Sequence, residues 1–199
     1  MLNARAMKAV VIGGGPAGLM GAEVLTAGGA KVDLYDSMPS LGRKFLMAGK
    51  GGLNLTHAEA HDSFLGRYGA RRPNIEPLLN GFGPDALRQW LRALGVETFV
   101  GTSGRIFPTG MKSAPLLRAW LHRLRRDGAS IHVRHRWLGW TQDGSLRFAS
   151  PHGEHARQAD VVMLALGGLQ RRNPNAALFE QWHPGSIGTK PRPTAAAKR

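Results

Sequence analysis

The residues with the clearest chemical meaning are Gly13-Gly14-Gly15-Pro16-Ala17-Gly18 and, 18 positions beyond the last of them, Asp36. The run satisfies G-x-G-x-x-G after a short apolar stretch and ahead of small and apolar residues suited to a helix, the context in which this pattern binds a dinucleotide. Gly13 admits a tight turn, Gly15 lets the backbone approach a pyrophosphate, and Gly18 lets a helix sit close to the strand, with the helix N-terminus attracting the phosphates. The Asp36 carboxylate would accept from ribose hydroxyls. A glycine turn with no ligand is the bland alternative, and it leaves the coincidence of strand, turn, helix and acid unexplained. The fingerprint by itself does not separate FAD from NAD.

Other reactive types form weaker patterns. His57 and His61 stand four apart with Glu59 between them, but "HAEAH" lacks the order H-E-x-x-H and a third ligand, so no metal is assigned. His132 with His135, and His152 with His155, read as ordinary surface or partly buried histidines beside strands. No G-x-S-x-G or other nucleophile arrangement occurs, and no catalytic acid or base is nominated.

The elements that must position the glycine turn are legible around it. Residues 8–12 read as a strand, 19–25 as part of a helix and 29–36 as a second strand, which together make a βαβ unit. From Ser37 to about Arg72 the chain is Gly-rich and reads as an irregular binding loop, with a solvated loop as its alternative. Leu87, Trp90, Leu91 and Leu94 recur at helical spacing, residues 96–108 read as two short strands around a turn, and a second helix runs from Ser113 to Gly128 with Pro115 in its first turn. "ASIHVRH" predicts a strand and "RWLGW", "LRFAS" and "EHARQ" a three-stranded antiparallel meander with Asp143-Gly144 at one hairpin. "DVVMLAL" predicts a wholly apolar strand of the kind buried on both faces. The fold class is therefore α/β, a Rossmann-like FAD/NAD(P)-binding domain whose parallel sheet is crossed by a three-stranded β-meander.

Composition sets outer limits. The 199 residues suffice for one domain and an extension, and 42% hydrophobic content fits a globular chain. With no cysteine, disulfides, thiol redox chemistry and the usual zinc spacings are excluded, and a cytoplasmic location is the simple expectation. The glycines and proline of residues 13–18 break any secretory signal, and no run of 18 apolar residues predicts a membrane span. The formal charge of +14 invites a nucleic-acid partner. Most of the cations are scattered, however, and no basic cluster is interleaved with aromatics.

"VIGGGPAGLMGAEVL", "GRKFLMAGKGGLNLTH" at 42–57, "GRIFP" at 104–108 and "MLALGG" at 163–168 resemble the BaiN-like NAD(P)/FAD-dependent flavoproteins, also called aminoacetone-oxidase-like proteins or NAD(FAD)-utilizing dehydrogenases. The second stretch is the most specific of the four. The resemblance covers residues 7 to about 168. It implies that Gly13, Gly15 and Gly18, with Pro16 and Ala17 in the same turn, hold the FAD pyrophosphate and Asp36 the adenosine ribose. It further implies that Arg43, Lys44, Gly51, Gly52 and Asn54 lie along the flavin, that the backbone near Trp137 approaches the adenine, and that Leu166, Gly167 and Gly168 turn beneath the diphosphate. Relatives often carry Arg-Cys where this chain has Gly52-Leu53. The implied chemistry is flavin-mediated hydride transfer, with NAD(P)H as a possible donor and an unidentified small molecule as acceptor.

The resemblance also leads one to expect an inserted domain after Gly168 and a return strand with Gly-Asp reaching the flavin side. Residues 169–199 show neither; they hold six basic residues against one acidic and read as an unstructured basic tail. On this expectation residues 1–168 are an incomplete FAD domain, the chain is a truncated form that retains FAD weakly, and the tail is the product of a frameshift near codon 168. Reading the gene in its other two frames beyond Gly168 is expected to reveal a flavoprotein-like continuation. The competing expectation is a non-catalytic nucleotide-binding or nucleic-acid-binding module with a basic arm.

Overall fold

A run of β-branched and small apolar residues, Lys8–Ile12, forms strand β1, and four of its five side chains are buried. The structure is a computed structural model and describes residues 5–167. Helix α1 (Pro16–Ala27) starts with Pro16, whose missing N–H costs nothing in the first turn. It ends at Gly28 and Gly29, the latter in the left-handed region at φ 83°, with the Ala30 N–H closing on Leu25 C=O at 3.0 Å. β2 (Lys31–Tyr35) follows, then α2 (Arg43–Ala48), β3 (Thr56–His57), α3 (His61–Gly66), a 3-10 turn at Gly69–Arg71, α4 (Arg72–Gly81) and α5 (Pro84–Ala93). The chain continues through β4 (Thr98–Val100), β5 (Arg105–Pro108), α6 (Ser113–Arg126), β6 (Ser130–His132), β7 (Arg136–Trp140), β8 (Leu146–Ser150), β9 (Gly153–Arg157) and β10 (Val161–Leu164).

Among the described residues these elements make two compact units, one of residues 5–43 with 124–167 and one of residues 44–123. In the first, four strands pair in parallel in the order β10-β1-β2-β6, the Rossmann-type α/β sheet expected. The antiparallel meander β7-β8-β9 lies between β6 and β10 in the chain, which makes it the crossover between the third and fourth parallel strands. Val10, Ile12, Tyr35, Trp137, Leu146 and Phe148 form one core cluster, so the apolar face of the parallel sheet is covered by the meander. The second unit holds the sheet β3-β5-β4 and a cluster of Leu53, Leu91 and Leu116. Among the described residues, no helix is long and apolar enough to cross a membrane.

Two expectations need correction. Residues 37–72 are not a continuous irregular loop: α2, β3, α3 and the 3-10 turn occupy much of them. Their helices are short and bury little, α2 no side chain and α3 only Leu65, so they carry no apolar stripe for a sequence reading to find. β10 is not buried on both faces. It pairs with β1 alone among the described residues, and Val161 is 37% exposed. The expected tail, 169–199, lies outside the described residues, as does Gly168.

The β7–β8 hairpin is held by its turn acid. Asp143 Oδ1 accepts from the Thr141 hydroxyl and from the Ser145 N–H at 3.2 Å, and its Oδ2 accepts from the Ser145 hydroxyl at 2.9 Å, while Gly144 supplies φ 75°. The Thr141 hydroxyl, followed by the Ser145 N–H and hydroxyl, holds this carboxyl below its ordinary range. A depressed folded-state value means the folded chain binds fewer protons than the unfolded one, so the contribution is complete above the ordinary Asp range and lost as pH falls through the lowered value. Asp143→Ala is therefore expected to lower the urea midpoint at pH 7, with the gap to wild type narrowing as the pH is taken through the carboxylate range. A gap independent of pH would contradict this reading.

Candidate functional site

The first unit gathers the glycine turn, the end of β2 and the segment after β10. Register places them together: Ile12 pairs with Tyr35 on one side and Leu164 on the other, so the chain leaving each strand meets the turn leaving β1. Gly13 has φ 111°, a conformation strained for any residue with a Cβ, and an added Cβ would strike the carbonyl of Ala165. Its N–H donates to Tyr35 C=O at 2.8 Å. A Cβ on Gly18 would overlap the Gly13 carbonyl oxygen, so α1 rests directly on the turn.

Gly15 differs from its neighbours. Its backbone is extended at φ −81° and ψ −179°, and a Cβ built there meets nothing within 4 Å. It caps α1 without a side-chain bond, and the helix has no acid in its first turn. The first helical bond runs from the Leu19 N–H to Gly15 C=O at 2.9 Å, leaving the N–H groups of Ala17 and Gly18 ahead of the ladder. Open space, unladdered N–H groups and the positive end of the helix dipole make this spot suited to an anion.

Asp36 is bound into the turn more closely than its sequence position reveals. One carboxylate oxygen accepts from the Gly14 N–H at 2.6 Å and the other from the Met38 N–H at 2.7 Å. Its own N–H donates to His132 C=O and its C=O accepts from the His135 N–H, both at 2.9 Å. Gly14 C=O in turn accepts from the Gly42 N–H at 2.8 Å, and a Cβ on Gly14 would run into Leu41. The carboxylate thus fixes the shape of the phosphate turn, and lone pairs remain on both oxygens for a hydroxyl donor.

The other expected residues fall in different places. The Trp137 side chain is in the core, 3% exposed, with its indole N–H buried and unpartnered by protein among the described residues; the β7–β8 register shifts between it and Gly139. Leu166 is half-buried against the same core, and Gly167 is exposed with φ 79°. Arg43 is exposed at the start of α2 and belongs to the first unit. Lys44, Gly51, Gly52 and Asn54 belong to the second, where Gly52 takes φ 115° and Leu53 N–H bonds Met111 C=O at 3.1 Å. Also in that unit, Lys50, Lys112 and Arg118 line an open cleft of about 560 Å³. His57 serves local structure: Nδ1 accepts from the Glu59 N–H at 3.2 Å and Nε2 donates to Ser103 C=O at 3.0 Å.

One grouping escaped the sequence reading. Pairing of Tyr35 with His132 and of Phe148 with His155 sets His132 and His135 against a single buried tyrosine, with His155 against Phe148 and His135. Burial, reinforced by the Asp33 carboxylate, raises the Tyr35 phenol above its ordinary value, with Arg157 acting the other way. Only the two strand registers reveal this, since the residues lie far apart in the chain.

Known proteins share this architecture. The chain resembles 3-ketosteroid-Δ4-(5α)-dehydrogenase from Rhodococcus jostii RHA1 with a TM-score of 0.58 at 16% identity, over 84% of this chain and 47% of that one. THI4 of Thermovibrio ammonificans matches with a TM-score of 0.53 at 16% identity, over 81% of this chain and 58% of the other. An open-conformation flavocytochrome c3 fumarate reductase also matches at 0.53 and 19% identity, over 83% and 34%. Identities this low speak to the fold alone, and the chain spans less than two thirds of each. The family model described as the HI0933-like protein Rossmann domain matches residues 7–175. With the glycine turn, its carboxylate clamp and the meander crossover in place, the chain belongs to the HI0933-like Rossmann-domain family, the FAD-dependent flavoprotein family that its 42–57 stretch resembles.

Proposed function

We propose that this chain binds FAD through the adenosine diphosphate half of the cofactor, held in the first unit, and that the protein's activity is hydride transfer from NAD(P)H to a small-molecule acceptor. The observation that carries the reading is Gly15: the one fingerprint glycine whose missing side chain opens onto free space, at the uncapped start of α1. The N–H groups of Ala17 and Gly18 would face the pyrophosphate, and Asp36 would receive a ribose hydroxyl while keeping its bonds to Gly14 and Met38. Leu166 and Gly167 would pass beneath the diphosphate. The backbone near Trp137 is assigned to the adenine, and Arg43, Lys44, Gly51, Gly52 and Asn54 to the flavin, on the family resemblance. When bound, the isoalloxazine supplies the hydride chemistry, while the protein orients it and excludes water.

Gel filtration of the full chain with added FAD tests the binding step. Flavin absorbance is expected to co-elute with the protein and flavin fluorescence to change on titration. Complete separation of the two, with unchanged fluorescence, would overturn the proposal.

A further inference from the structure

Tyr35, 1% exposed, stands in a column of rings in the first unit. His132 stacks on it at 4.4 Å and 14°, and Phe148 at 4.2 Å and 19°; Phe148 in turn stacks with His155 at 5.8 Å and 24°. His135 meets this column edge-on, 5.6 Å from Tyr35, 5.7 Å from His132 and 5.2 Å from His155. Three imidazoles from β6, the loop after it and β9 therefore share one small volume.

The charges around them are unequal. β2 contributes Asp33, whose Oδ1 lies 2.6 Å from His132 Nε2, and the Tyr35 phenol; β9 contributes Arg157, and β8 presents the uncharged Phe148. His135 Nδ1 is engaged, donating to Val133 C=O at 2.7 Å. The Asp33 carboxylate is engaged by His132, so a proton on His155 would meet the Arg157 cation.

This volume is joined by backbone to the residue assigned as ribose acceptor. His132 and His135 are the two residues that bond the N–H and C=O of Asp36, and the Arg134 N–H donates to Met38 C=O at 3.0 Å. The residues that carry two of these imidazoles therefore bond both sides of Asp36, whose carboxylate holds the Gly14 N–H of the phosphate turn.

Resting on the FAD reading above, we propose that His155 is a proton-sensitive positioning residue for Asp36, acting through His135: uncharged, it packs on Phe148 and His135 and the adenosine site keeps its shape; protonated, it loosens that packing and weakens FAD binding. The direction of the His155 titration agrees. Burial, followed by His135, Arg157 and His132, holds its imidazole below the ordinary histidine value. The folded chain then binds fewer protons than the unfolded one, so this stability is present above the ordinary His range, about pH 6.5, and is lost as pH falls toward the lowered value.

The test titrates FAD into the full chain by flavin fluorescence between pH 7.5 and 5.5, and records the thermal midpoint at each pH. Wild type is compared with His155→Phe, which keeps the stack on Phe148 but carries no proton, and with His155→Gln should the first fail to fold. Wild-type Kd is expected to rise about tenfold across this range, and that of the variant less than about threefold, with a matching flattening of the thermal midpoint. Parallel pH profiles in wild type and variant would overturn the inference while leaving FAD binding standing. Absence of FAD binding at every pH would remove the function reading and this coupling together, whatever the thermal midpoints do.

Discussion

Gly15→Ala is expected to leave the fold standing while weakening FAD binding at least tenfold, about 1.4 kcal/mol, whereas Gly18→Val is expected to unfold or severely destabilise the chain. The two glycines are three residues apart, and the difference lies in what a side chain would meet. At Gly15 a Cβ meets nothing within 4 Å and the φ of −81° suits alanine, so the cost to folding is that of a poorer N-cap, about 1 kcal/mol. The same methyl would enter the open space beside Gly15, where the pyrophosphate is assigned. At Gly18 the side chain would overlap the Gly13 carbonyl, a backbone atom that cannot swing aside, and Gly13 is itself pinned by its bond to Tyr35. Overpacking typically costs about 1–3 kcal/mol and occasionally more, and a clash with fixed backbone belongs at the upper end of that scale. Urea denaturation with FAD titration of each variant checks both. Unchanged FAD affinity in Gly15→Ala would place the diphosphate elsewhere.

Asp36→Ala comes next in size. It removes the acceptor for two backbone N–H groups, Gly14 at 2.6 Å and Met38 at 2.7 Å. Hydrogen bonds to a charged group are worth about 1.5–3 kcal/mol each, and with partial exposure the pair is expected to contribute about 2–4 kcal/mol. Asp36→Asn keeps one accepting oxygen but turns its NH₂ toward the other N–H, so an intermediate loss follows. FAD affinity should fall further than stability alone explains, because the ribose loses its acceptor and the Gly14 turn its anchor. Urea midpoints of all three proteins measure the first effect, and FAD titration in the absence of urea the second. An Asp36→Ala chain as stable as wild type would show that the carboxylate does not hold the turn.

Much of the scaffold was legible because its signals are local. The β-branched run at 8–12, the glycine turn and the strand ending at Asp36 together define a βαβ unit, and the Leu and Trp spacing of α5 and α6 reports buried helix faces. The meander announced itself through alternating residues and the Asp143-Gly144 turn. What escaped lacks such signals. α4 carries Pro77 within it and buries no residue, so its ten residues show neither a clean pattern nor an apolar stripe. The clamp of Asp36 on Gly14 and the packing of His132, His135 and His155 about Tyr35 and Phe148 depend on which strands pair and in what register, information that no window of the chain contains. Function was legible at the level of the nucleotide, where the glycine spacing reflects backbone geometry, and not at the level of the acceptor, for which no catalytic acid or base is marked.

Competition between the two halves of the cofactor shows which end of FAD the first unit holds. If the glycine turn and Asp36 hold the adenosine diphosphate end, ADP displaces FAD from the full chain in a fluorescence titration, and FMN at the same concentration does not. Displacement by FMN without displacement by ADP would overturn this assignment, because it would put the binding energy on the flavin and leave the turn at Gly15 without a ligand.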